Sequence, residues 1–107
     1  MTQYDQTAKI GAMTAVTEMV EALIAVGAEG LPADWRDDFH SSPVPGAYLA
    51  EWLYNLRGPA RVCYAARAAS RSVRFDFCQI DGPDLQALVK ERNRVVRLLS
   101  ADDLSVI

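Results

Sequence analysis

Six cationic side chains repeat one helical spacing in two segments of the chain. They are Arg67, Arg71, Arg74, Lys90, Arg94 and Arg97. Within each segment the intervals are four and then three residues, which places the three charges on one side of a helix. A guanidinium group pairs well with a carboxylate or a phosphate. The spacing therefore predicts two basic rows that bind an acidic protein surface or a nucleic-acid backbone.

Aromatic side chains are the second group that indicates binding. Five of them fall within twenty positions, namely Trp35, Phe39, Tyr48, Trp52 and Tyr54. On one helix Tyr54 lies well around from Tyr48 and Trp52, so part of this aromatic surface is expected to stay exposed. Trp, Tyr and Arg often dominate interface energetics. We predict Trp35 and Tyr54 as aromatic anchors, with core packing as the alternative for either ring.

The specific signatures of catalysis are absent from the sequence. It has no Gly-rich phosphate loop, no Gly-x-Ser-x-Gly elbow and no paired histidines for zinc. His40 is the single histidine and reads as a surface residue in a connector rather than as a general base. Cys63 and Cys78 lack an activating motif and read as small core or boundary residues. We predict no catalytic residue, no metal ligand, no cofactor and no enzymatic activity.

Four carboxylates form the pattern that comes nearest to metal chemistry. Glu18 and Glu21 are three residues apart, and so are Asp81 and Asp84. Four carboxylates that meet in a bundle can hold a hard cation such as magnesium. Over these four side chains the pattern resembles the acidic residues of all-helical nucleotide pyrophosphohydrolases. That resemblance implies a metal-dependent nucleotide hydrolase of the all-α type, although the helix dipole also explains an acid at Asp84.

The composition predicts one foldable domain, residues 1–107, with a lopsided charge. Half of the 107 residues are hydrophobic and 23% are charged, which is enough for one core and argues against intrinsic disorder. A net charge of −3 argues against a histone-like coat on nucleic acid. Residues 1–56 hold two basic and eight acidic side chains, whereas residues 57–97 hold nine basic and four acidic ones. A positive binding surface is therefore expected in the second half.

Neither the first residues nor the apolar runs predict membrane insertion. The chain begins without a basic leader before an apolar stretch, and its longest wholly apolar run, residues 23–27, is far shorter than a bilayer span. Two cysteines are too few for a disulfide framework. We expect a cytoplasmic location, reduced thiols and no membrane partner.

Apolar residues recur at helical spacing in four long segments and one short one. The predicted helices cover residues 5–26, 32–39, 46–57, 59–80 and 83–99. The apolar line of the fourth is rich in alanine, so a partner helix can approach closely and this helix is expected to be central. The first helix is apolar on more than one side, which favours a homodimer through it.

One segment allows a second interpretation. In residues 72–80, Val73, Phe75 and Phe77 alternate with polar residues, as in a strand. A lone strand would have to pair between chains, and no other segment alternates convincingly. We therefore predict an all-α fold, a small bundle of about four helices plus one short helix. The alternative is an α+β fold with a single strand at 72–80.

These patterns predict a small non-enzymatic protein that binds another protein as an adaptor, regulator or inhibitor. The partner is expected to carry an acidic surface. The first alternative is a nucleic-acid-binding regulator that uses the same rows, although no helix-turn-helix spacing is clear. The second is the metal-dependent hydrolase described above. A further interpretation leaves the rows as a solvated face that pairs with the acidic half of the chain.

Overall fold

The computed structural model describes residues 6–42, 45–78 and 83–100. Its helices are α1 (Gln6–Ala25), α2 (Trp35–Ser41), α3 (Ala47–Tyr54), α4 (Ala60–Cys78) and α5 (Leu85–Ser100). Within those ranges the extended pairing is confined to an antiparallel bridge between Glu29 and Arg57. The predicted all-α bundle is confirmed.

The strand interpretation is wrong for residues 72–78, which form the last two turns of α4. Val73 is fully buried and Phe77 nearly so, and both continue the buried face that begins at Val62. Their alternation with polar residues is therefore a by-product of helical spacing. Residues 79 and 80 of the predicted segment lie outside the described residues.

The short helix and α3 have other ends than the prediction. The short helix begins at Trp35 rather than at residue 32 and continues through His40 to Ser41, so His40 is helical rather than part of a connector. The helix α3 ends at Tyr54 instead of residue 57. Leu56 remains buried in the link that follows.

The central position predicted for the fourth helix is confirmed, since α4 packs against α3, α5 and α1. Its contact face is built from small side chains: Ala65, Ala66 and Ala69 are fully buried. The Ser70 hydroxyl donates a 2.6 Å hydrogen bond to the Ala50 carbonyl, which ties α4 to α3 in the core. Small residues let neighbouring backbones come close, so the alanine stripe fixes where the other helices lie.

Contacts between named pairs give the helix directions. Asp76 near the end of α4 lies beside Asp84, just before α5, and Tyr64 lies beside Arg94 further along α5. These two helices therefore run antiparallel. In contrast, α1 and α5 run parallel. Gly11 of α1 faces Leu85 of α5, and seven residues later on both helices Glu18 pairs with Arg92.

The broad apolar arc of α1 is only partly buried. Val16, Met19, Val20 and Leu23 are completely enclosed in the core. Ile10 is 61% exposed and Ile24 is also exposed, so this side of the helix has no cover within the described chain. The homodimer through α1 stays a prediction.

Candidate functional site

An exposed row runs along α4 on the side opposite its alanine face. Its side chains are Tyr64, Arg67, Arg71, Arg74 and Phe75, and all five are exposed. Intervals of three and four residues keep them on one side of the helix. Together with Tyr54 of the neighbouring α3, these residues are called the basic–aromatic surface below. The predicted row on this helix therefore lies on the surface, as its spacing indicates.

Tyr54 and Arg67 meet across the contact between α3 and α4. The Arg67 guanidinium carbon lies 5.6 Å from the centroid of the Tyr54 ring, within the range of a cation–π contact. Tyr54 remains 55% exposed. The ring orients Arg67 while leaving its positive charge available, so a charged and an aromatic binding group stand side by side.

The acidic half of the chain neutralises other arginines. Salt bridges within the described residues join Arg36 to Glu21 and Arg92 to Glu18, both across helices. A further pair, Arg94 with Glu91, lies within α5. None of these salt bridges uses Arg67, Arg71 or Arg74. Arg36 and Arg92 belong to neither predicted row, and the one row residue in these pairs, Arg94, binds Glu91 of its own helix. The salt bridges of the described residues therefore do not join either row to the acidic half of the chain.

The second predicted row, on α5, is interrupted at its centre. The Glu91 carboxylate accepts two hydrogen bonds from Arg94, 3.2 Å from Nε and 3.0 Å from a terminal nitrogen. Glu91 raises the pKa of Arg94 above its ordinary value, and Tyr64 of α4 adds to this effect while burial opposes it. Lys90 and Arg97 are exposed on either side. Arg94 is thus a weaker docking candidate than its spacing predicts.

Trp35 does not belong to this surface. Its side chain is only 5% exposed and joins the hydrophobic core with Phe39. The Arg36 guanidinium lies 4.9 Å from its ring centroid, which covers part of the ring further. In this fold Trp35 packs in the core, the alternative given for it above, and offers no open face to a partner.

Two aromatic residues of the surface were missed by the sequence reasoning. Phe75 is 64% exposed and Tyr64 is 49% exposed. A helical wheel predicts their exposure, because both lie on a different side of the helix from Val62, Ala69 and Val73. They extend the surface from Tyr54 across α4 toward α5.

The remaining candidates for chemistry are His40 and the two cysteines. His40 is exposed on α2, with Nε2 3.2 Å from the Thr17 hydroxyl of α1. The Cys63 thiol lies 3.4 Å from the Gly58 carbonyl and 3.6 Å from that of Leu56, as a weak donor to both. Cys78 is exposed at the end of α4, so the prediction of a core or boundary position is wrong for this cysteine.

The predicted carboxylate pattern does not come together in the described chain. Glu18 and Glu21 pair with arginines, as given above. Asp84 Oδ1 accepts hydrogen bonds from the backbone amides of Gln86 and Ala87, so it caps α5. Asp81 lies outside the described residues. Among the residues that the structure describes, no three His, Cys, Asp or Glu side chains are grouped for a metal ion.

The carboxyl group of Asp76 lies in surroundings that disfavour its ionised form. Burial is the main cause that raises the pKa of its carboxyl, the negative charge of Asp84 raises it further, and a hydrogen bond with the Asp84 backbone lowers it. Protonation of Asp76 is therefore easier in the native state than in the unfolded state. Ionised Asp76 costs stability above its folded-state pKa, and this cost disappears as the pH falls toward the unfolded value of 3.8.

We expect Asp76→Asn to raise the melting temperature slightly at pH 7, since asparagine keeps an acceptor and removes the charge. The gain is small because the side chain is only partly buried and solvent still screens its charge. Thermal unfolding between pH 3 and pH 8 checks this, with the difference from the parent vanishing at the acidic end. A melting temperature below that of the parent at pH 7 would contradict it.

Comparison with known proteins adds no assignment to these observations: no family model, curated protein or solved structure matches the chain. None of the helices in the described residues is both long and apolar enough to pass through a bilayer.

Proposed function

We propose that this protein binds another protein through the basic–aromatic surface, acting as an adaptor, regulator or inhibitor of a partner with an acidic surface. One observation carries the proposal. Arg67, Arg71 and Arg74 are exposed on one helix, outside the salt bridges of the described chain, and stand between exposed aromatic rings. Charge steers the partner to this face, and the rings supply the apolar contact.

The aromatic content favours a protein over a duplex nucleic acid as partner. Phosphate recognition needs cations, and the exposed Phe75 ring next to Arg74 contributes nothing to it, because rings stack only on unpaired bases. The surroundings also weaken the positive field, because Glu91 pairs with Arg94 and the chain carries a net charge of −3. An acidic protein surface with apolar side chains between its carboxylates matches both kinds of group.

The test compares the protein with its Arg71→Glu/Arg74→Glu variant as baits in nuclease-treated extract of the native host. This variant leaves the Arg67–Tyr54 contact intact. A Lys9→Glu/Arg57→Glu variant has the same net charge and serves as the matched control, because neither residue belongs to the basic–aromatic surface. We expect the variant to recover a specific partner at least about tenfold less well than parent and control do, the loss of roughly 1.4 kcal/mol of binding.

Two results would contradict the proposal. The first is an identical set of captured proteins for all three baits. The second is retention of a DNA or RNA oligonucleotide at low salt that falls steeply as salt rises, since counterion release is the mark of phosphate binding. Direct binding of the recovered partner to the purified protein, measured by calorimetry, completes the test.

A further inference from the structure

A second site lies on the other side of α3, away from the basic–aromatic surface. Here α2 and α3 enclose a cleft with a volume of 290 Å³. Its apolar lining includes Phe39 and Leu49, both almost completely buried, and the half-buried Trp52. The volume is near the lower limit of about 300 Å³ for small-molecule pockets, so only a small ligand fits.

Two aromatic rings and one carboxylate give the cleft its chemical character. Tyr48 and Trp52 are one turn apart on α3, with ring centroids separated by 6.4 Å and planes at 30°. Asp38 of α2 is the charged residue among the described lining side chains. It is exposed, and no salt bridge within the described residues uses it. Aromatic faces attract cations, most strongly at tryptophan.

The charges around the cleft favour a cation as well. Asp37 lies beside Asp38 in the acidic first turn of α2 but does not line the cleft, so the negative charge in the cleft comes from Asp38. The basic group of α2 is occupied elsewhere, because Arg36 pairs with Glu21 of α1. His40 likewise contacts Thr17 of α1. The side of α2 that lines the cleft therefore presents negative charge to aromatic walls.

We propose that this cleft binds a small organic ammonium ion. The alkyl substituents of the ion pack against Phe39, Leu49 and Trp52. Its positive charge lies against the ring faces and is balanced by the Asp38 carboxylate. An anionic ligand would meet that carboxylate, and a neutral apolar ligand would gain nothing from it. This site is separate from the basic–aromatic surface and does not depend on the proposed protein partner.

Choline and its neutral isostere 3,3-dimethyl-1-butanol provide a matched pair of probes. Titration of the ¹⁵N-labelled protein with each, followed by backbone amide chemical shifts, measures binding and locates it. We expect choline to produce saturable shifts confined to α2 and α3, with a dissociation constant in the millimolar range. The neutral isostere is expected to bind less well by about threefold to fivefold, the worth of one surface charge interaction.

Two variants distinguish a specific contact with the Asp38 carboxylate from an effect of the protein's overall negative charge. Asp38→Asn should weaken choline binding about threefold to fivefold, whereas Asp37→Asn, one residue away in the same helical turn, should leave it unchanged. Trp52→Leu should weaken it also, because it removes the strongest cation–π ring. The amide spectrum of each variant shows whether the fold is intact.

Three results would overturn the proposal. Choline shifts that do not saturate, or that spread over the whole surface, would show that no cation site exists. Equal affinity for choline and the isostere would make the cleft an apolar pocket only. Equal losses in Asp37→Asn and Asp38→Asn would reduce the effect to net charge.

Discussion

Replacement of Gly46 by alanine is expected to destabilise the fold by about 2–4 kcal/mol and to lower the melting temperature by about 10 °C or more. Gly46 precedes α3 with φ 96° and ψ −20°, a left-handed conformation that residues with a Cβ atom adopt at a cost. An added Cβ would also lie 2.9 Å from Val73 Cγ1 and 3.0 Å from Phe77 Cβ of α4. Strain and overpacking therefore act at one position.

The chain offers a control that separates these two causes. Gly27 has a similar φ of 107°, but a Cβ there would meet only Pro59 side-chain atoms at ordinary distances of 3.6 and 3.9 Å. Gly27→Ala should therefore cost about 1 kcal/mol from the backbone alone. Thermal and urea unfolding, followed by circular dichroism, give both values. If the two variants lose the same stability, the close approach of α3 to α4 is not what requires glycine at position 46.

The sequence predicts the faces of the helices better than their ends. The alanine-rich face of α4 is visible in the spacing because the residues that form it all lie on the same helix. The ends depend on contacts with distant residues. At α3, paired backbone hydrogen bonds of 2.8 and 2.9 Å hold Arg57 against Glu29, so the chain turns out of the helix after Tyr54.

The longer α2 has a similar cause. Its last turn is held by partners on other helices: the Phe39 ring packs edge-on against Phe77, with centroids 5.7 Å apart, and His40 contacts Thr17. Serine and proline in the following residues predicted a connector from His40 onward. Thr17 and His40 are 23 positions apart in the sequence, and Phe39 and Phe77 are 38 positions apart. The composition of a short segment carries no information on such distant contacts, so the longer helix could not be derived from the sequence alone.

The candidate site also has a part that helical spacing predicts and a part that depends on contacts with other elements. The row of Arg67, Arg71 and Arg74 follows from helical spacing opposite a buried face, and the structure places it on the surface. For Trp35 the sequence left both an exposed anchor and a core residue open, because one turn of a short helix does not show which neighbour covers it, and the structure decides for the core. The pair of Arg94 with Glu91, three residues earlier, was visible in the sequence, since that interval brings opposite charges together on a helix.

Replacement of Ala69 by leucine is expected to cost about 3 kcal/mol, because the position lies in the middle of the central helix and is fully buried. The face around it consists of Ala65, Ala66 and Val73, all without exposure. A larger side chain there has to push the neighbouring helices away from α4. Well-packed interiors contain few voids that could take up the extra atoms.

Ala60→Leu is the matched control, because Ala60 is the first residue of the same helix and is exposed. Alanine and leucine have similar helix propensities, so this variant should stay within about 0.5 kcal/mol of the parent. Urea unfolding of both variants measures the difference. A loss at position 69 no greater than at position 60 would mean that α4 has room on its alanine face, and that the small side chains do not set the distance between α4 and the helices around it.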